Sequence, residues 1–211
     1  MLRATAYATC LAATLALTAS TAQAQNEVLV DPGFEAAAFG QSNPIPVPGG
    51  VGGGWAAFQG NLTTTVAYSG SQSAALWDNM WNPSGVYQIV DASAGLLYTA
   101  SAEFYRNGAA AGWGTPFLIN LEFHDAAGAQ VGTTVSTGWA AGTEGAWALE
   151  SCAGVAPAGT AYAYTYFMAM NSAAMGATFA VDNAMLVVPE PASMTLLGLG
   201  LAGALIWRRR Q

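Results

Sequence analysis

The sequence contains no lysine, and its five arginines are Arg3, Arg106, Arg208, Arg209 and Arg210. Four of them lie at the two ends, so residues 25–188 set eleven acidic side chains against Arg106 alone, a net of −10. Nucleic acid and anionic lipid are recognised by clustered Lys and Arg, so this region excludes nucleic acid as a partner. Charge of either sign is scarce, at 8% of residues, which leaves solubility to Ser, Thr, Asn, Gln and Gly. Cysteine is nearly absent too: Cys10 and Cys152 are the only two. That number rules out a cysteine-rich metal site. Cys10 falls in a segment read below as a leader, so Cys152 is expected to be a small buried apolar residue, an intermolecular disulfide being the other reading. The one histidine, His124, precedes Asp125, but no nucleophile accompanies the pair, and a place on the polar face of a strand is expected. The pattern Gly-x-Ser-x-Gly, a phosphate loop and a dinucleotide fingerprint are all missing. The glycine-rich run at 49–54 lacks the Lys and the helix that phosphate binding needs. Glu103 and Glu122 could mimic a glycosidase dyad if their carboxyls lay about 5–9 Å apart, a spacing that neighbouring strands supply by chance. No residue is assigned as catalytic.

What is present is hydrophobic and rich in β-formers. Hydrophobic residues make up 53% of the 211 and aromatics 11%, so the chain is not disordered by composition. Residues 1–24 read as a secretory signal peptide: Arg3 supplies the positive end, residues 11–17 the apolar core, and Ala22-Gln23-Ala24 a small-x-small cleavage site before Gln25. The Sec machinery is the implied partner. Residues 36–54 carry Pro44, Pro46, Pro48 and the glycine run and read as a long loop. From there the pattern alternates with period two. Strands are expected at 28–30, 63–68, 73–77, 86–90, 98–105, 118–124, 131–135, 147–152, 161–170 and 178–188, with turns about every ten residues. In the strand at 98–105, Ala100, Ala102 and Phe104 share one face; at 118–124, Ile119, Leu121 and Phe123 do. The absence of a 3.6-residue period through residues 25–188, apart from a helical turn near Ala173, points to an all-β jelly-roll β-sandwich of about nine or ten strands.

Several short motifs then fall in order: Asp31-Pro32-Gly33-Phe34-Glu35, Gly54-Trp55, residues 68–73 (Tyr-Ser-Gly-Ser-Gln-Ser), residues 155–160 and Val181-Asp182-Asn183. Together they resemble carbohydrate-binding modules of the family 4/9 type, which belong to the galactose-binding-like jelly rolls. The resemblance covers roughly residues 26–188. It implies a structural Ca²⁺ between the first and last strands, held by the Gly33 carbonyl, the Glu35 and Asp182 carboxylates and an oxygen from Ser69 to Gln72. Hard oxygen ligands of that mixture suit calcium. This chain departs from the family in having Ser69 where another acid is common. The other reading is that Glu35 and Asp182 accept hydrogen bonds from turn amides and hold the sandwich closed. Trp55 and Trp147 match positions of packing tryptophans in that family.

A loop at 76–83 concentrates Trp77, Asp78, Asn79 and Trp81. Aromatic faces stack on the apolar side of a pyranose while polar neighbours bind its hydroxyls. Arg106 and Trp113 could add to such a cleft, with Arg106 pairing an acidic sugar. The alternative is that these aromatics plug the end of the sandwich.

The chain ends with Pro189-Glu190-Pro191, an apolar stretch of about 192–207, and Arg208-Arg209-Arg210. As a helix that stretch spans about 24 Å at ~1.5 Å per residue, slightly short of a ~30 Å hydrocarbon core, and Trp207 with the arginines would anchor it. The positive-inside rule puts the arginines in the cytoplasm and the β-domain outside. The whole of 189–211 closely resembles the PEP-CTERM sorting signal of Gram-negative bacteria. That resemblance implies an exosortase partner, a membrane intermediate, delivery to the cell surface or extracellular matrix, and a setting of exopolysaccharide and biofilm. The expectation is therefore an exported, non-catalytic polysaccharide-binding protein, or a structural matrix protein without a specific ligand; a glycan hydrolase is the distant third.

Overall fold

The alternation at 98–105 decides the layers. Ala100, Ala102 and Phe104 are buried completely, while Thr99, Ser101, Glu103 and Tyr105 are half-buried on the opposite face. The same holds at 117–123, where Phe117, Ile119, Leu121 and Phe123 point inward. The computed structural model describes residues 25–35, 54–58, 62–64, 66–76, 83–107, 117–138, 143–169 and 178–189. Within them are eleven strands: β1 (Gln25–Glu27), β2 (Ala56–Phe58), β3 (Leu62–Thr64), β4 (Ser73–Leu76), β5 (Ser84–Asp91), β6 (Leu97–Asn107), β7 (Phe117–His124), β8 (Val135–Ser136), β9 (Trp147–Val155), β10 (Tyr162–Ala169) and β11 (Thr178–Pro189). No helix occurs among the described residues.

The strands form two antiparallel sheets. One runs β3-β4-β11-β6-β9, with β1 also on β11; the other runs β2-β5-β10-β7-β8. Their inner faces meet in one core, in which Phe117 packs between Phe104 at 4.8 Å and Phe179 at 5.8 Å. Burying each such ring contributes about 1.5–3 kcal/mol, which supplies a domain of this size with its core without a disulfide. Residues 27–188 form one compact unit, an all-β sandwich, as the periodicity requires.

Three expected strands are displaced or cut short, two of them by a side chain that captures backbone groups. At 28–30, the Val30 N–H and carbonyl are both taken by the Gln88 amide, at 3.0 and 2.6 Å, so no ladder forms there and β1 lies just upstream. At 63–68, β3 stops at Thr64; the Tyr68 and Ser69 amides donate to Asp182 instead. At 131–135, Gly132 has φ 75°, a left-handed conformation that breaks pairing, and only Val135–Ser136 remains as β8. The edge strand β2 follows Trp55 directly and was not expected from the sequence. The turn near Ala173, the leader residues 1–24 and the tail from Glu190 lie outside the described residues.

Candidate functional site

Two constructions concentrate polar chemistry. The first joins the N-terminal turn to the last strand. Asp31, Phe34 and Asn183 have φ of 52°, 57° and 45°, a region that non-glycine residues enter only when neighbours over-determine it. Here they are held from all sides. The Phe34 N–H donates to the Asp31 carbonyl at 3.0 Å, and the Glu35 N–H to Asp31 Oδ1 at 2.9 Å. Trp55 Nε1 donates to the Asp31 carbonyl at 2.7 Å, its ring packed 4.5 Å from Phe34. On β11 the register shifts between Asp182 and Met185. This bulge accompanies a fully buried Asp182.

Glu35 and Asp182 then grip the segment 68–72. Glu35 Oε1 accepts the amides of Ser71 (2.9 Å) and Gln72 (3.1 Å), and Oε2 accepts the Ser71 hydroxyl at 2.6 Å. Asp182 Oδ2 accepts the amides of Tyr68 (2.8 Å) and Ser69 (3.0 Å), and Oδ1 that of Asn183 at 2.7 Å. Gln72 Nε2 closes the ring on the Phe34 carbonyl at 2.6 Å. Gly70 is required: its φ is 67°, and a Cβ there would run into the Glu35 carboxylate. The Ser71 hydroxyl, with the Ser71 and Gln72 amides, holds the Glu35 carboxyl below its ordinary range. Burial pushes Asp182 up, its three amides pull it down, and the Glu35 charge adds to the rise.

The structure thus gathers the residues proposed for calcium, Gly33, Glu35, Gln72 and Asp182, around one point. Their fit to the ion is poor. Calcium needs six to eight oxygen ligands, and here six N–H and O–H donors already take most of the roughly eight lone-pair sites of the two carboxylates. Among the described residues no three His, Cys, Asp or Glu side chains form a metal-holding group. The geometry is that of a hydrogen-bonded clasp.

The second construction is the outer face of the five-stranded sheet. Along β10 every second residue is a tyrosine: Tyr162, Tyr164 and Tyr166. They point away from the main core, into a separate cluster with Tyr87, Ile89, Ala56 and Phe58. Register fixes the neighbours in rows. Tyr162 stands between Asp91 and His124, Tyr164 between Ile89 and Glu122, and Tyr166 between Tyr87 and Asn120. Gly85 keeps one end of this face flat, because a Cβ there would come within 2.6 Å of Phe58 and 2.9 Å of Met168. Tyr87 and Tyr164 form a buried floor, and Tyr162, Tyr166 and Phe58 are half-buried above it. The His124 ring lies 4.0 Å from that of Tyr164, with Nδ1 3.0 Å from the Gly128 carbonyl and Nε2 3.4 Å from Glu122 Oε2. Burial, then the charge of Glu122, pushes the Tyr166 phenol far above its ordinary range. Burial, then Tyr162 and Glu122, raises Tyr164 likewise. Both phenols are therefore neutral hydrogen-bonding groups.

The aromatic cleft expected from sequence is only partly visible. Trp77, Asp78, Asn79, Trp81 and Trp113 lie outside the described residues. Arg106 stands on β6 in the other sheet, in the cross-strand row of Phe179 and Leu76, at the end from which residue 77 continues. Trp55 packs against the core as expected. Trp147 does not: it lies across from Tyr105 on the outer face of the six-stranded sheet, 5.2 Å from Tyr105 and 5.7 Å from Tyr68. Glu103 and Glu122 belong to different sheets and to opposite outer faces, which removes them as a dyad. Cys152 is half-buried and free. The tyrosine face was missed, although its signal, Tyr-Ala-Tyr-Thr-Tyr at 162–166, was plain in the sequence.

Residues 187–210 match the PEP-CTERM protein-sorting motif. The motif begins within β11, at Val187. The motif indicates an exported protein sorted by an exosortase in Gram-negative bacteria. No curated protein sequence matches the chain. Among solved structures, an apo cyclase from Fischerella sp. aligns with a TM-score of 0.55 at 13% identity, over 81% of this chain and 98% of the other. The CBM22-1 xylan-binding domain of Paenibacillus barcinonensis Xyn10C aligns with 0.49 at 17% identity, over 81% and 99%. The enzymatically active domain of bacteriophage CBA120 tailspike protein 4 aligns with 0.47 at 14% identity, over 64% of this chain and only 19% of that one. The likeness to the cyclase concerns the fold alone, a β-sandwich.

Proposed function

We propose that this is an exported, non-catalytic polysaccharide-binding protein whose ligand lies across the tyrosine face. The observation that carries the reading is the set of rows built on Tyr162, Tyr164 and Tyr166, with Asn120, Glu122 and His124 beside them. Half-buried aromatic rings provide an apolar platform for the C–H side of a sugar ring, and polar groups at its margin bind hydroxyls. Delivery follows from the ends: Sec export, cleavage between Ala24 and Gln25, a helix at about 192–207 that holds the intermediate in the inner membrane with Arg208–Arg210 inside, and exosortase processing near Pro189-Glu190-Pro191. The test is binding of the full chain, purified in mild detergent, to an array of bacterial and plant polysaccharides. Tyr166→Ala and Tyr162→Ala should each weaken the best ligand about tenfold, the effect of ~1.4 kcal/mol. Binding that survives both substitutions would place the ligand elsewhere.

A structural matrix role without a specific ligand is the second reading. It is favoured by the outer face of the six-stranded sheet, where Leu149 and Val155 of the edge strand β9 are 65% and 60% exposed. An edge strand of nine residues with exposed apolar side chains is suited to pairing with another chain. Flat binding across the array would leave this reading standing.

A further inference from the structure

The edges of the two sheets are unequal. β1, β2 and β3 have three residues each and β8 has two, too few to hold another strand. β9 has nine, Trp147–Val155. Among the described residues it pairs with β6 alone, so the peptide groups that face away from β6 have no strand to bond. Its inward side chains Ala148, Glu150 and Cys152 are only half-buried, as at the open margin of a layer. A natural edge of this length is blunted by a proline, a lysine, a bulge or an inward-pointing charge. β9 contains no proline and no basic residue, and its register on β6 runs without a bulge from Trp147 to Val155. Glu150 is its one charge.

The strand is complementary to itself. Two copies of β9 can run antiparallel about a twofold axis normal to the sheet, which keeps the outward side chains of both on one face. With the axis at Cys152, Leu149 of each copy stands opposite Val155 of the other, Ser151 opposite Ala153, and Glu150 opposite Gly154. The two most exposed side chains of β9, at 65% and 60%, thus cover one another, and apolar pairs directly opposite stabilise a ladder. The two Glu150 carboxylates fall four positions apart, about 14 Å at ~3.4 Å per residue. That exceeds the ~8 Å over which charges act in physiological salt, so the one charge does not bar the pairing. We propose that the protein forms a twofold dimer through β9, joining two six-stranded sheets into one. The proposal rests on the matrix reading of this edge and names a second copy of the chain as the partner. With one long edge per copy, the contact closes at two and builds no fibre. A ladder of seven residues, about 24 Å long, is smaller than the ~800 Å² per partner of a stable complex, so the dissociation constant falls between about 1 µM and 1 mM.

The test is sedimentation of the full chain in mild detergent across that concentration range, in salt high enough to screen the net −10 of residues 25–188. A dimer should form toward the upper end. Leu149→Lys and Val155→Lys should each weaken it about tenfold or more, as a lysine on an edge does. Met185→Lys, on the same sheet but two strands away on β11 and 39% exposed, should leave it unchanged. Register is read in chains otherwise free of cysteine: Leu149→Cys mixed with Val155→Cys should link by a disulfide under mild oxidation, and neither should link to itself. A chain that stays monomeric, a dimer that survives both edge lysines, or one that Met185→Lys disrupts equally overturns the proposal. Leu149→Cys linking to itself overturns the axis at Cys152. The polysaccharide array keeps the two failures apart. A monomer with flat binding overturns the dimer and keeps the matrix reading, whereas a dimer with selective binding that Tyr166→Ala abolishes keeps the dimer and removes that reading.

Discussion

Replacing Asp182 by alanine is the sharpest test of how this sandwich is closed. The carboxylate has no exposed surface and accepts three amides, from Tyr68, Ser69 and Asn183, at 2.8, 3.0 and 2.7 Å. A hydrogen bond to a charged acceptor contributes about 1.5–3 kcal/mol, and a stranded buried donor costs about 1–3 kcal/mol. Tyr68 and Ser69 are exposed residues, so water can reach their amides once the carboxylate is gone, and only the Asn183 amide incurs the full cost. Two terms reduce the loss further. Asp182 is itself desolvated, and its charge raises the neighbouring Glu103 carboxyl. The net loss is then about 3 kcal/mol. In a domain of this size each kcal/mol moves the melting midpoint by about 2–4 °C, so Asp182→Ala should melt about 6–12 °C lower in calorimetry. A loss under about 2 °C would refute the account, because it would mean that water satisfies all three amides as well as Asp182 does. The same measurement separates clasp from calcium. With donors on both carboxylates, chelator should leave the midpoint in place; a midpoint that rises by several degrees in millimolar calcium would restore the ion.

Two further outcomes follow from the titratable groups. Burial raises Asp182, Glu103 and Glu27 above their ordinary values, so each takes up its proton more readily in the folded state and stabilises the fold as pH falls toward that value. Glu35, held low by its donors, acts oppositely and loses its contribution as pH falls through its depressed value. The midpoint should rise from pH 7 to about pH 5 and fall only below about pH 4; a steady decline from pH 7 to 5 would contradict the assignment. Burial also pushes the Cys152 thiol up to about 11. Maleimide should label it slowly in the folded protein near neutral pH and rapidly in urea, and equal rates would show that β9 opens freely.

The fold was legible where one face is buried and the other is not. At 98–105 and 117–124 the sequence alternates because Ala100, Phe104, Ile119 and Leu121 fill the space between two sheets, and a period of two survives into composition. It was not legible where side chains replace the ladder. Nothing in residues 28–30 announces that Gln88, 58 positions away, will take both backbone groups of Val30. Likewise Tyr68 and Ser69 look like the end of a strand until Asp182, more than a hundred residues on, draws their amides aside. Long-range capture leaves no periodic trace.

The tyrosine face escaped notice for a related reason. Tryptophans in a polar loop look like a binding surface, so the reading favoured residues 77–81; tyrosines in a strand look like good strand formers and were passed over. What distinguishes the two cases is the second face. Ala163, Thr165 and Phe167 already satisfy the core from β10, so the alternate tyrosines are not needed to hold the sheets together. A strand with an apolar face needs only polar residues on the other, yet here that other face is aromatic, in register with Asn120, Glu122 and His124. An outer sheet face built on rings, in a chain that keeps its charge to 8% of residues, is a second apolar cluster, with Tyr87, Ile89 and Tyr164 buried in it. Arg106 makes a complementary point: the one cation of residues 25–188 lies in the opposite sheet, so no guanidinium stands among the tyrosines of this face.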